Sequence, residues 1–449
     1  MLGIKLDLAP TDARLIGDAG LDFVQSKEWN SPRQELLSAL TDPAPGYTSL
    51  PDQQVDGLLE FAAAVSSDLD DVLVLGIGGS GLGARMLNCA FIEPAPRRPT
   101  YPRLHVVDNV DPRRLYHLLA ALDPQHTLVV VVTKSGSTAE TMANYAVVRG
   151  WLEALLGDDC AAHLAVVTDP DNGDLRSIAE SEDLASFAVP PDVGGRFSVL
   201  SPVGLLPAAL TGLDVEGLLR GAAVMRRRTL EPDWRGNPAL ALALCLHAHH
   251  RAGRRIVSVM PYADGLRDFA LWFGQLWAES LGKRADYGPT PQAALGATDQ
   301  HSQIQLYTQG PADKVVWLLE VAEHNVEVEV PDKRYGYAAL DYLAGTGLGE
   351  LLAAERRGTT LGLVKAGTPS FVLTLPKLEE PELGALIYLC EAATSLTGRL
   401  AELDAYNQPG VEEGKKATYA LLGRPGYEER RREDAELEAN FAEDLVSLA

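Results

Sequence analysis

The feature that most constrains this chain is a unit repeated along its first half. An unbroken apolar run meets a turn of small and polar residues, and an amphipathic stretch follows. The unit reads DVLVLGIGGSGLGARMLNCAF from Asp71, TLVVVVTKSGSTAETMANYAVVRGWL from Thr127 and LAVVTDPDNGDLRSIAE from Leu164, with a short HVVDNV run from His105 between the first two. Runs of Val and Leu with no alternating polar residue suit strands buried on both faces, hence parallel strands with helices packed above and below. Ligands of such sheets collect at the carboxyl ends of the strands, where every unusual residue of these units lies.

The second half repeats the scheme less regularly. RRIVSVMPYADGL, KVVWLLEV, VEVEVP and FVLTLPKL are strand candidates, and DFALWFGQLWAESLGK is a long amphipathic helix. Residues 201–250 and 383–399 read as helical. The predicted fold is α/β: two doubly wound, mainly parallel sheets in three αβα layers, with helical N- and C-terminal extensions. The expected division is a helical segment 1–52 ending in DPAPGYTSLPD, a first domain 53–205, a second domain 206–400 and a helical arm 401–449. EERRREDAELE in that arm reads as a solvated helix face with i,i+4 ion pairs.

Charge narrows the partners. With 39 basic and 62 acidic residues the formal net charge is -23, which argues against nucleic acid and against an anionic membrane. No apolar run reaches membrane-spanning length. MLGIKLDLAPTDAR has acids within ten residues and no long apolar core, so it does not read as a signal peptide. Cys89, Cys160, Cys245 and Cys390 are far apart and fit reduced, mostly buried thiols in a cytoplasmic protein.

The turns carry the chemistry. GIGGSGLG (Gly76–Gly83) contains a GxGxxG spacing, but the strand-end acid of a dinucleotide site has only Asp108 as a candidate. Ser80, beside Gly79 at a helix start, suits a phosphate monoester better. TKSGSTAET supplies Thr133, Lys134, Ser135, Ser137 and Thr138 at a second helix start. Capping needs one hydroxyl, not four. A phosphate held by neutral donors explains the surplus in a protein that repels anions at long range.

Further along, VGGRFSVLSPVG aims Arg196 from a double glycine, Gly194-Gly195, so that a permanent cation could meet a developing oxyanion. Gln275 and Glu279 are four apart on one helix face, near Trp272 and Leu276, where a partly desolvated carboxylate could carry a proton. His301 stands in a polar loop, ATDQHSQ. His247, His249 and His250 lack a carboxylate or cysteine partner and read as helix surface rather than a metal site. AYNQPGVEEGKK brings Gln408, Glu412 and Lys415 around a Pro-Gly turn.

Together these stretches resemble the glucose-6-phosphate isomerase (phosphoglucose isomerase) family, built from two sugar-isomerase domains. GIGGSGLG, TKSGSTAET, VTDP, VGGRFSVLSPVG, WAESLGK, ATDQHSQ and AYNQPGVEEGKK occur in the family's order. The resemblance implies a sugar phosphate substrate held by Ser80, Thr133, Ser135 and Thr138, with Gly79, Lys134, Gly195, Gln275 and Gln408 alongside. Thr133 stands where the family more often has serine. It implies Glu279 as the base, Arg196 as the stabiliser of a cis-enediolate, and His301 and Lys415 in ring opening. It implies a homodimer in which His301 crosses the interface, and no metal or cofactor. The expected reaction interconverts glucose 6-phosphate and fructose 6-phosphate.

Three alternatives are weighed against it. A bifunctional isomerase that also accepts mannose 6-phosphate fits the same residues. A non-catalytic sugar-phosphate sensor would want a basic DNA-binding segment, which an acidic chain lacks. A glucosamine-6-phosphate synthase would need a cysteine after Met1, where Leu2 stands.

Overall fold

The computed structural model describes residues 2–23, 29, 34–92 and 101–441. Residues 24–28 and 30–33 of the predicted leader and 442–449 of the predicted arm lie outside the described residues. Ten strands are seen among the rest: β1 (Lys5–Asp7), β2 (Asp71–Leu75), β3 (Arg103–Val107), β4 (Thr127–Val132), β5 (Leu164–Thr168), β6 (Ala185–Ala188), β7 (Ile256–Tyr262), β8 (Thr290–Ala293), β9 (Lys314–Val321) and β10 (Ser370–Leu375). They form two five-stranded sheets.

The first sheet runs β3-β2-β4-β5-β6, all parallel, with Leu75 in register with Val107 on one side and Val131 on the other. The chain steps outward from β2 to β3 and then crosses back to β4. That reversal opens a crevice between the carboxyl ends of β2 and β4. The second sheet runs β1-β10-β9-β7-β8 and is parallel except for β1.

Strand alternation explains the layers. Val72, Val74, Val130 and Val132 enter a central core, while Leu73, Leu75, Val129 and Val131 enter an outer one. In the second sheet Val257, Val259, Val315 and Trp317 join the same central core, and Met260, Val316 and Leu318 face outward. Each such side chain contributes roughly 1.5–3 kcal/mol on burial. Between the sheets lie the helices Val215–Arg228, Pro238–Arg251 and Glu380–Leu400. The last is buried along nearly its whole length, as a helix that is apolar on every side must be.

Four readings of the sequence change. The leader is largely 3-10 turns, but Lys5–Asp7 forms a strand antiparallel to β10, with Lys5 opposite Thr374. VEVEVP is not a strand. Val326 and Val328 are exposed, and the segment makes a single bridge, Glu329 to Gly347. Alternation alone offers an apolar face, and no layer covers this one. β6 and β8 add two strands that the sequence pattern does not announce; each is four residues long, and β8 contains Pro291. His249 and His250 are buried rather than on a helix surface. Desolvation holds the His249 imidazole down to about 3.

The arm carries helices Glu412–Leu421 and Glu428–Phe441, in which Arg430 pairs with Asp434 four residues on. All four cysteines are free thiols, and Cys89, Cys245 and Cys390 are buried. Among the described residues no helix is long and apolar enough to cross a membrane. None of them forms a group of three or more His, Cys, Asp or Glu able to hold a metal ion.

Candidate active site

Both polar turns leave the crevice side of the first sheet. After β2, Gly78 takes a left-handed φ of 58°, and a Cβ there would lie 3.1 Å from Nε2 of Gln275. Gly79 is packed on the double glycine: its Cβ would lie 2.3 Å from the Gly195 carbonyl carbon. Two glycine segments distant in sequence thus interlock, and this fixes Arg196 beside the first turn. The Ser80 hydroxyl has no hydrogen bond to a described residue.

After β4 the hydroxyls form a triangle. Thr133 Oγ1 is 3.0 Å from Thr138 Oγ1 and 3.4 Å from Ser135 Oγ, and Ser135 Oγ is 3.3 Å from Thr138 Oγ1. Thr138 is the N-cap residue of the Ala139–Leu156 helix, yet its side chain makes no cap hydrogen bond. The hydroxyls are grouped on one another and on the open end of a helix, an arrangement suited to an anion. Asp108 is committed to Arg85 at 2.6 Å and Arg114 at 3.2 Å, which removes it as a ribose acceptor.

Arg196 is the hub of the cleft. Its guanidinium is only 2% exposed. Nε donates to Ser280 Oγ at 2.8 Å. Nη2 donates to the carbonyls of Ala405 at 2.7 Å and Asn407 at 3.0 Å. Nη1 donates to Gln408 Oε1 at 2.9 Å and to Glu279 Oε2 at 3.1 Å. Burial pulls the guanidinium below its usual range, partly opposed by Glu279, but an arginine remains protonated. The other Glu279 oxygen accepts from Gln275 Nε2 at 3.1 Å. Trp272 and Leu276 lie wholly in the core, so a cation and an amide, rather than an apolar wall, surround this carboxylate. It is about a third exposed.

Other expected residues are placed differently. Lys134 turns away from the hydroxyl triangle and donates to the carbonyls of Pro191 at 2.6 Å and Val193 at 2.9 Å. Its ammonium is lowered by burial. Lys415 is exposed, 3.1 Å from Glu412, and lines a cavity of about 450 Å³ together with Ser135, Ser137 and Thr138. His301 is exposed and lines a separate shallow cavity with Ile304, Leu351 and Thr359. Within one chain the fold therefore brings together Arg196, Glu279, Gln275 and Gln408, and sets Lys415 beside the hydroxyls. It does not bring His301 to them.

Sequence reasoning passed over several contributors. Lys283 stands just after the glycine ending the Arg267–Leu281 helix and donates to the carbonyls of Asp404 and Asn407, the latter at 2.6 Å. It thereby shares the Asn407 carbonyl with Arg196. Tyr419 reaches the Ser137 carbonyl at 3.5 Å, and Arg424 stacks on its ring at 4.5 Å, so the arm lies over the hydroxyl loop. A lysine in WAESLGK was visible in sequence, but only the fold shows which carbonyls it meets.

Comparison with known proteins identifies the family. The family model described as "Phosphoglucose isomerase" matches residues 57–435. A glucose-6-phosphate isomerase of Rubrobacter xylanophilus is 47% identical over 419 residues, covering 91% of this chain and 96% of that protein. One from Thermus thermophilus is 41% identical over 398 residues, covering 87% and 93%. Among solved structures, a hypothetical protein of Thermus thermophilus superposes with a TM-score of 0.84 at 38% identity, covering 94% of this chain and all of that one. A glucose-6-phosphate isomerase of Chlamydia trachomatis gives 0.73 at 26% identity, covering 85% and 76%. The chain belongs to the phosphoglucose isomerase family.

Proposed function

We propose that the chain interconverts glucose 6-phosphate and fructose 6-phosphate. The observation that carries the reading is the partly exposed Glu279 carboxylate held between the Arg196 cation and the Gln275 amide. Aldose-ketose isomerisation moves one proton between adjacent carbons and needs no redox cofactor. Glu279 takes the proton from one carbon and returns it to the other. As Glu279 takes up the proton, the Nη1–H that it held turns to the enediolate oxygen. The phosphate rests on Ser80, Thr133, Ser135 and Thr138, and Gly79 and Gly195 let backbone approach it. Gln408 orients the guanidinium, and Lys134 shapes the loop through its carbonyl contacts. Lys415, beside the hydroxyls, assists ring opening.

His301 acts from a second copy of the chain. Its exposure and its distinct cavity support this, as do the exposed Val326, Tyr337, Tyr342 and Leu361 on the same half of the molecule. The two separate sheets support a division into domains 53–205 and 206–400, with 401–449 as the arm. The 1–52 segment is tied to the second sheet through β1. The free thiols suit the cytoplasm.

A coupled dehydrogenase assay with a chelator present tests the reading. Turnover of fructose 6-phosphate to glucose 6-phosphate is expected, and none above background would refute it. Mannose 6-phosphate in parallel distinguishes a strict isomerase from a bifunctional one.

A further inference from the structure

A basic cavity is lined by none of the candidate site residues. A cavity of about 400 Å³ opens where the Pro238–Arg251 helix ends, bounded by the 284–287 turn and by residues 400–402 after the Glu380–Leu400 helix. Arg251, Arg255 and Arg284 line it, with the His247–Tyr287 pair (3.0 Å) at its wall. Two acids face the same space. Asp286 is taken by Arg284 at 3.1 Å, and Glu402 is the other. Arg251 and Arg255 form no hydrogen bond or ion pair with a described side chain, although each lies in a protein of net charge -23. Arg254, between them, is 8% exposed, and its Nε has no hydrogen-bond partner. Three arginines and two acids line the cavity, so it keeps a net positive charge inside a strongly acidic protein.

We propose that this cavity is an anion site for a small phosphorylated molecule, separate from the sugar-phosphate cleft and coupled to it. Unpaired guanidinium forks match phosphate oxygens in geometry as well as charge. The volume admits a three- to six-carbon phosphate. The coupling path is short. Arg284 follows Lys283, and Glu402 stands two residues before Asp404. Lys283 clamps Asp404 and Asn407, and Asn407 O is also held by Arg196. An anion that draws the 284–287 turn and the 400–402 segment together therefore acts on the Asn407 carbonyl that Lys283 and Arg196 share.

The site itself does not depend on the isomerase reading, and the first test reads binding alone. Equilibrium dialysis of inorganic phosphate against the whole protein should give two phosphates per chain. It should give one in R251S/R255S and one in Ser135→Asp, which blocks the hydroxyl triangle. Two phosphates in R251S/R255S, or one in the wild type, would overturn the proposal. Glu402→Asn, which keeps a residue tolerant of the left-handed φ of 55°, should tighten phosphate binding at this site several-fold. Unchanged affinity in that variant would also count against it. In steady-state assays phosphate should lower kcat as well as raise KM in the wild type. It should only raise KM in R251S/R255S, whose activity without phosphate stays within about twofold of wild type. A kcat effect that persists in the double variant would sink the coupling.

Discussion

Arg196 Nη1 and Glu279 Oε2 meet at 3.1 Å, although 83 residues of sequence separate them. The arginine is buried and spends its remaining donors on Ser280, Ala405, Asn407 and Gln408. Lysine cannot reproduce that fork. Arg196→Lys is expected to lower kcat/KM by about 10²–10³-fold, read in the coupled assay. A loss below fivefold would mean that the cation is not the oxyanion's partner.

Glu279→Gln keeps the shape and the Gln275 contact but removes the base. Turnover should drop by about 10²–10⁴-fold or more while sugar-phosphate binding persists. Calorimetric titration beside the kinetic assay separates the two. Near-wild-type turnover would remove Glu279 from the base role.

Thr138→Val keeps the bulk of the side chain and deletes one corner of the hydroxyl triangle. One lost hydrogen bond to a charged phosphate is worth about 1.5–3 kcal/mol, so KM should rise about tenfold or more with kcat affected less. Because Thr138 makes no side-chain cap bond, the melting temperature should hardly move. A large thermal loss with an unchanged KM would return Thr138 to a structural role.

Gly79→Ala drives a methyl group into the Gly195 carbonyl, 2.3 Å from its carbon. Neither glycine segment can retreat without moving Arg196. Stability should fall by about 3 kcal/mol, with activity lost in the molecules that still fold. Denaturant unfolding with parallel activity assays reads both.

His249 gives a pH signature. It is fully buried, neither ring nitrogen has a hydrogen-bond partner among the described residues, and burial holds it down to about 3. Between that value and the unfolded pKa of about 6.5, the unfolded chain binds a proton that the folded chain does not. Stability therefore falls as pH drops through this window, by about 2 kcal/mol from pH 7.5 to pH 5. In His249→Leu this part of the pH dependence should vanish in melts run from pH 4.5 to 8. An unaltered slope would assign the acid sensitivity to other groups.

Much of this architecture is legible in the residues because a single physical signal carries it. Unbroken valine runs specify strands covered on both faces, and the turns after β2 and β4 announce their chemistry through glycine and hydroxyls. What escapes depends on long-range partners. VEVEVP alternates like a strand, but no layer meets its apolar face. The histidines of the Pro238–Arg251 helix read as surface because polarity suggests exposure, whereas a helix between two sheets buries every side. Lys283 gains its importance from carbonyls about 120 residues away, which no local pattern reveals.

The pairing of β1 with β10 has a consequence for biosynthesis. Lys5 leaves the ribosome first, but its partner, Thr374, follows 369 residues later. At 5–20 residues per second that delay is roughly 20–70 s. Throughout it the first strand has no sheet to join, and once β10 emerges its outer edge stays bare until the start of the chain returns. The three residues Lys5–Asp7 therefore serve as the last strand to join a nascent domain, and a fusion ahead of them that delays their docking would leave an open β-edge available to neighbouring chains.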